Sequence, residues 1–185
     1  MLSADNPFLD ALRAAGPAPD RSDGMGLYSW LIGSWDLDVV EFLPDGTQRR
    51  RPGEWHFAWV LEGRAIQDVW AVPPRGQRQG DAVAHGNRYG TTLRVYDPRD
   101  GTWRIQWTEP VSQTFLAMVG RGEGGDIIQV GEMNEGHIVR WSFRHITRAS
   151  FLWRGEVSAD AGATWQRTVE FTALRRGADP GSEIG

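Results

Sequence analysis

From Ser34 onward the chain alternates apolar and polar residues with period two, through about ten consecutive segments. The segments run over 34–42, 48–61, 64–73, 89–97, 102–111, 114–121, 126–135, 137–146, 150–158 and 164–176. Most are joined by short turn sequences such as "LPDG", "EG", "DPRDG", "GEGGD" and "NEG", while residues 74–88 form a longer polar connection. No interior segment has the length and period of a helix, which removes α/β folds. Consecutive strands joined by tight turns make an up-and-down antiparallel meander, and a meander this long hides its edges by closing into a barrel. The expected fold is therefore an all-β meander barrel of about ten strands with a short N-terminal helix. Asn6 caps that helix, with Pro7 at its first position and Phe8, Leu9 and Leu12 as its apolar stripe. A second helical turn is expected around 27–31, ending at Gly33.

Alternation also assigns faces, because side chains two apart on a strand point the same way. Trp35, Leu37 and Val39 share one side with Trp55, Phe57 and Trp59, and Leu93 and Val95 continue it. Trp103, Ile105 and Trp107 follow, then Val139, Trp141 and Phe143, Phe151 and Trp153, and finally Trp165, Val169 and Phe171. Asp36, Asp38, Arg94, Arg104, Arg140, Arg154 and Glu170 fall opposite. An aromatic interior and a charged exterior result. Asp36 and Asp38 have the spacing of a carboxylate dyad, roughly 6.5–7 Å along a strand. Parity nevertheless places both outside, in water.

Ten tryptophans stand against three tyrosines, so the interior is either densely aromatic or a cavity walled with flat rings. The net charge of −4 speaks against nucleic acid, and Arg49-Arg50-Arg51 is offset by Glu41, Asp45 and Glu54. Without cysteine there is no disulfide, thiolate nucleophile or Cys-ligated metal, and no stretch reads as a signal peptide or a membrane span. A cytoplasmic protein is expected. The organisation is an N-terminal helix and linker over 1–24, the barrel over 25–176 and a flexible tail over 177–185.

A helical turn running into "LIGSWDLDVV", about ten meander strands, and "SFLWRGEVSADAGATWQRTVEF" near the end resemble the lipocalin-like (calycin) barrels, most closely the DUF1579-type bacterial domains. Gly33-Ser34-Trp35 is similar to the Gly-x-Trp that opens the first lipocalin strand, and the resemblance implies that Trp35 closes the barrel bottom. It implies a fold and a pocket over roughly 25–176, but no reaction. Nitrobindin-type haem barrels are more distant in shape, and their glycine-rich opening strand is missing here, so no haem is expected.

No cofactor or metal is expected. Gly120-Arg-Gly-Glu-Gly-Gly125 matches G-x-G-x-x-G but is followed by "DIIQV", a strand, so it reads as a hairpin loop. His56, His85, His137 and His145 have no metal-ligand spacing, and no G-x-S-x-G elbow exists. Polar residues whose parity places them among the aromatics matter more. Glu109 ends the series of Trp103 and Trp107, and His145 ends that of Trp141 and Phe143. Glu132 continues Ile128 and Val130, and Arg167 falls between Trp165 and Val169, unless a bulge reverses parity there. Asp68 joins the interior if Ile66 and Trp70 do.

The expected function is binding of a small apolar or aromatic molecule among Trp55, Phe57, Trp59, Trp70, Trp103, Trp107, Trp141, Phe143 and Trp153, with Arg167 and Glu132 as polar anchors. One alternative is a cofactor-independent cyclase, isomerase or dehydratase, with Glu109, His145 and Asp68 as acid and base, their pKa values moved toward neutrality by burial. The other is a filled barrel that acts as a homodimer through an outer patch at Ala58 and Val60.

Overall fold

Ten antiparallel strands follow one another around a closed barrel in the computed structural model, which describes residues 6–80, 86–133 and 136–177. They are β1 (Gly33–Phe42), β2 (Gln48–Val60), β3 (Ala65–Val72), β4 (Arg88–Asp97) and β5 (Thr102–Glu109), then β6 (Thr114–Glu123), β7 (Asp126–Glu132), β8 (Ile138–Arg144), β9 (Ser150–Ser158) and β10 (Gln166–Arg175). Every strand pairs with its neighbour in sequence, and β1 closes the barrel on β10 with Val39 opposite Phe171 and Trp35 opposite Arg175. The Gly120–Gly125 string is a hairpin, β6 turning into β7 at Gly124-Gly125.

Two short helices precede the barrel, α1 (Pro7–Leu12) and α2 (Ser22–Ser29). The Asn6 side chain accepts from the Phe8 and Leu9 N–H groups at 3.1 and 3.4 Å, the expected N-cap. Phe8 and Leu9 themselves stay 69% and 46% exposed, so the apolar stripe of α1 is not a core face. The chain after α1 instead runs along the end of β2: Leu61 N–H donates to Leu12 O and Ala14 N–H to Trp59 O, both at 2.9 Å. This segment covers Val60, which needs no second copy of the chain to be buried, while Ala58 is exposed.

Helix α2 plugs one end of the barrel. Its Met25 and Tyr28, with Leu31 just beyond, are buried against Trp35, Trp103, Phe143 and Phe151, with Tyr28 edge-on to Trp103 at 4.8 Å. Burial pushes the Tyr28 phenol up to about 12, so it stays neutral and accepts from Gln129 Nε2 at 2.8 Å. Gly120 on β6 permits this fit, since a Cβ there would sit 2.4 Å from the Tyr28 hydroxyl. Trp35 is fully buried at this same end, where the resemblance implied it would sit. Its indole N–H donates to Leu31 O at 2.8 Å, and the Arg175 guanidinium lies 4.1 Å from its ring.

Strand parity holds on β1, β2, β5, β8 and β9 and is inverted on β4 and β7. On β4, Thr92 and Arg94 face inward, and Leu93 and Val95 outward, with Val95 37% exposed. The inversion is possible because Asp68 on β3 also faces inward and pairs with Arg94, both fully buried. On β7, Ile127 and Gln129 are inside and Val130 is 40% exposed, so Glu132 lies outside. With isoleucine on both faces, that strand carried no usable alternation. On β10 the register shifts between Arg167 and Val169, a bulge that puts Arg167 outside and lets Trp165 lie on the outer wall beneath Arg140, 3.9 Å away.

Asp36 and Asp38 are on the outside as expected, paired with Arg176 and Arg50. Exposed ion pairs are worth about 0–1 kcal/mol each. The double substitution Asp36→Asn, Asp38→Asn is therefore expected to shift the urea midpoint only slightly and to leave ligand binding unchanged. A large loss of either would overturn the face assignment.

Candidate aromatic ligand cavity

The strands that start at the plug end with β1, β3, β5, β7 and β9 all finish at the opposite end. There the barrel holds a cavity of about 340 Å³. Its wall includes Trp55, Trp70, Trp107, Trp141, Trp153 and Phe171, with Leu116, Val139, Val157 and Val169 between the rings. Five of these rings form an unbroken circuit across β3, β5, β8, β9 and β10. Trp70 meets Trp107 at 5.8 Å, Trp107 meets Trp141 at 5.8 Å, and Trp141 meets Trp153 at 5.3 Å. Trp153 stacks on Phe171 at 4.7 Å and 9°, and Phe171 returns to Trp70 at 6.4 Å. Such ring pairs each add about 0.5–1.5 kcal/mol beyond area burial. Gly90 on β4 helps set the wall, because a Cβ there would lie 2.4 Å from the Trp107 ring.

Of the aromatic residues expected to bind ligand, Trp55, Trp70, Trp107, Trp141 and Trp153 line this cavity. Phe57, Trp59, Trp103 and Phe143 do not; they fill the plugged half, where Trp103 and Phe143 meet Tyr28. The polar anchors fall elsewhere too. Arg167 is exposed, 5.0 Å over Phe42 and 3.5 Å from Glu170, and Glu132 is exposed on the outer face. Sequence parity missed the residues of the rim: Glu41, Phe42, Thr114 and Thr168 line the cavity, and Thr168 does so because of the bulge.

The three acid–base candidates do not come together. Glu109 ends β5 at the mouth, whereas the exposed His145 follows β8 at the plugged end. The Glu109 carboxylate is fully engaged: it accepts from Arg88 Nε and Tyr89 N–H at 3.2 Å, from Val111 and Ser112 N–H at 3.0 Å, and from the Ser112 hydroxyl. Burial alone would raise its pKa. The Ser112 and Tyr89 hydrogen bonds and the Arg88 charge outweigh that and hold it below the ordinary carboxylate range. The expectation of a shift toward neutrality is thus reversed, and Glu109 instead ties the β5–β6 turn to β4. Asp68 lies inside the barrel but gives its oxygens to Arg94 and to the Thr92 N–H at 3.0 Å.

One polar cluster was invisible to sequence reasoning. On the outer wall Ser34 Oγ and His56 Nδ1 lie 2.8 Å apart, and His56 Nε2 is 3.2 Å from Glu54 Oε2. Arg75 donates its backbone N–H and its Nε to Glu54 Oε1 at 2.9 and 2.6 Å. Burial pushes Glu54 up, but the hydrogen bonds from Arg75 and His56 override it and leave the pKa at about 2. Glu54 is thereby consumed as a clamp for the segment after β3. A larger hollow of about 570 Å³ also lies outside, over β4 to β7, where the inverted strands leave Val95 and Val130 facing outward beside Ala117 and Val119 of β6. Arg104 and Gln106 are the polar side chains in its lining. Among the described residues no group of three His, Cys, Asp or Glu side chains could hold a metal ion, and no helix is long and apolar enough to cross a membrane.

No family model matches the chain, and no curated protein matches it. Solved structures do. The S-type phycobiliprotein lyase CPES from Guillardia theta superposes with a TM-score of 0.58 at 9% identity, over 88% of this chain and 100% of that one. Rv2717c from M. tuberculosis gives a TM-score of 0.61 at 15% identity, over 86% and 99%. At such identities the likeness is one of fold, and the fold is a lipocalin-like ten-strand barrel.

Proposed function

We propose that the barrel binds a small hydrophobic or aromatic molecule in the indole-walled cavity at its mouth. The observation that carries this reading is the asymmetry of the interior. One end is filled by α2 and its aromatic contacts, while the other keeps about 340 Å³ of space behind five indoles and Phe171. A volume at the low end of ligand pockets suits a molecule of one or a few rings. That a phycobiliprotein lyase shares the fold is compatible with a ligand-holding barrel, but nothing of its activity is carried over at 9% identity. The DUF1579-type kinship and a cytoplasmic location belong to the same proposal, resting on the sequence resemblance and on the cysteine-free composition. The acid–base alternative gains no support, since Glu109 and His145 sit at opposite ends and Asp68 is paired.

Titration with small aromatic and acyl compounds, read by tryptophan emission, tests the proposal. Compounds that bind should quench emission saturably in the wild type. Val157→Trp, which fills the cavity from its wall, should weaken them at least about tenfold while keeping the thermal midpoint. Equal binding to the filled variant would place the ligand elsewhere.

A further inference from the structure

We propose that two copies of the chain pair about a two-fold axis, each setting an apolar knob at α1 into the hollow over β4 to β7 of the other. The knob consists of Phe8 and Leu9 of α1 and Leu61 of the β2–β3 turn, which are 69%, 46% and 47% exposed. Leu61 N–H donates to Leu12 O and Ala14 N–H to Trp59 O, both at 2.9 Å, so α1 is held on its own β2 with these side chains facing water. Leu61 stands at φ 53° and Glu62 after it at 58°, in the left-handed region ordinarily given to glycine or asparagine. A bulky apolar side chain in that conformation, half in water, does little for the single chain. The hollow is the matching part. Leu93 and Val95 of β4, Ala117 and Val119 of β6 and Val130 of β7 line it, with Val95 and Val130 37% and 40% exposed. Phe115, 65% exposed, extends the apolar surface along β6. Of the two polar side chains in the lining, Arg104 reaches Asp97 at 3.3 Å and Asp100 at 2.5 Å, and Gln106 lies across from Ala117. An exposed apolar area of this kind marks an interaction surface.

A second copy is the occupant because knob and hollow stand side by side on one chain. Val95 and Leu93 pair directly with Ala65 and Gln67 of β3, the strand that follows the Leu61 turn. Neighbouring parts of this kind can be exchanged about a single two-fold axis, which closes the assembly at two copies. Charge agrees with the exchange. Asp10 and Arg13 flank the knob, Arg121 and Glu123 follow Val119 on the outer side of β6, and all four are exposed and without an ion pair among the described residues. Each face thus offers the other one charge of each sign. The contact lies apart from Val60, which the segment after α1 already covers.

Light scattering on the eluting full chain, from micromolar to near-millimolar concentration, reads the mass. The wild type is expected to reach the mass of two chains. Phe8→Asp on the knob and Val130→Arg in the hollow each change an exposed side chain, and each should weaken pairing at least about tenfold with the thermal midpoint kept. Mixed in equal amounts, the two variants should pair more readily than either alone, because the knob of the Val130→Arg chain still fits the hollow of the Phe8→Asp chain. A wild type that is monomeric at every concentration overturns the proposal and leaves the hollow to another partner. A dimer untouched by both substitutions overturns it by placing the interface elsewhere, and a mass that keeps growing with concentration overturns the two-fold closure.

Discussion

Asp68→Asn is expected to destabilise the barrel by about 3–5 kcal/mol, the usual cost of stranding one member of a buried ion pair. Asp68 and Arg94 are both fully buried, face each other from β3 and β4, and lie beneath the cavity. Asparagine keeps the shape and the Thr92 N–H contact but removes the charge that compensates the guanidinium. Arg94 cannot turn to water: only its Nη1 reaches Asp68, its Nε and Nη2 have no partner among the described residues, and Tyr28, Phe57 and Phe143 lie within 6.0 Å of it. Urea unfolding of the single variant and of Asp68→Leu with Arg94→Met gives the decisive comparison. The double variant should recover most of the loss, since apolar replacement of a whole buried pair is often neutral. An Asp68→Asn variant within about 1 kcal/mol of wild type would mean that the guanidinium is solvated after all.

Trp35→Ala is expected to cost about 3–5 kcal/mol as well, by a different route. Trp35 is fully buried at the plugged end, edge-on to Phe151 at 4.8 Å. Truncation leaves a cavity that α2 cannot close, orphans the Leu31 carbonyl, and takes from Arg175 the ring it covers. The half-buried Trp141 at the mouth makes the contrast. Trp141→Ala should cost clearly less stability and should remove ligand quenching instead. Equal destabilisation by the two, measured by urea melts, would contradict a division between a structural end and a binding end.

The errors in the sequence reading arise where strand alternation stops carrying information. Alternation is informative when one face is apolar and the other is not, as with Trp35-Asp36-Leu37-Asp38 on β1. It fails where both faces are apolar, as at Ile127-Ile128, and where a bulge adds a residue, as at Thr168. On β4 it failed for a deeper reason. Placing Leu93 and Val95 inside was the natural choice, and only knowledge that Asp68 waits on the neighbouring strand would justify burying Arg94 instead. The two ambiguous strands were one problem, solvable together and not apart. The cavity wall was readable because indoles at i and i+2 share a face. Which indoles border empty space was not readable, because that depends on α2 filling one end, and α2 has no strong apolar periodicity of its own.

The closure of β1 on β10 has a consequence for how the chain is made. Every other ladder joins strands separated by a few residues, or by the one longer connection after β3, so each hairpin can zip as soon as its second strand leaves the ribosome. The β1–β10 seam joins Trp35 to Arg175 and must wait for the final strand. Until then the nascent sheet has two open edges and an unshielded aromatic face. Translation arrested before β10 would release a sticky half-cylinder, and the last ten residues of strand decide whether ten tryptophans become a vessel or an aggregate.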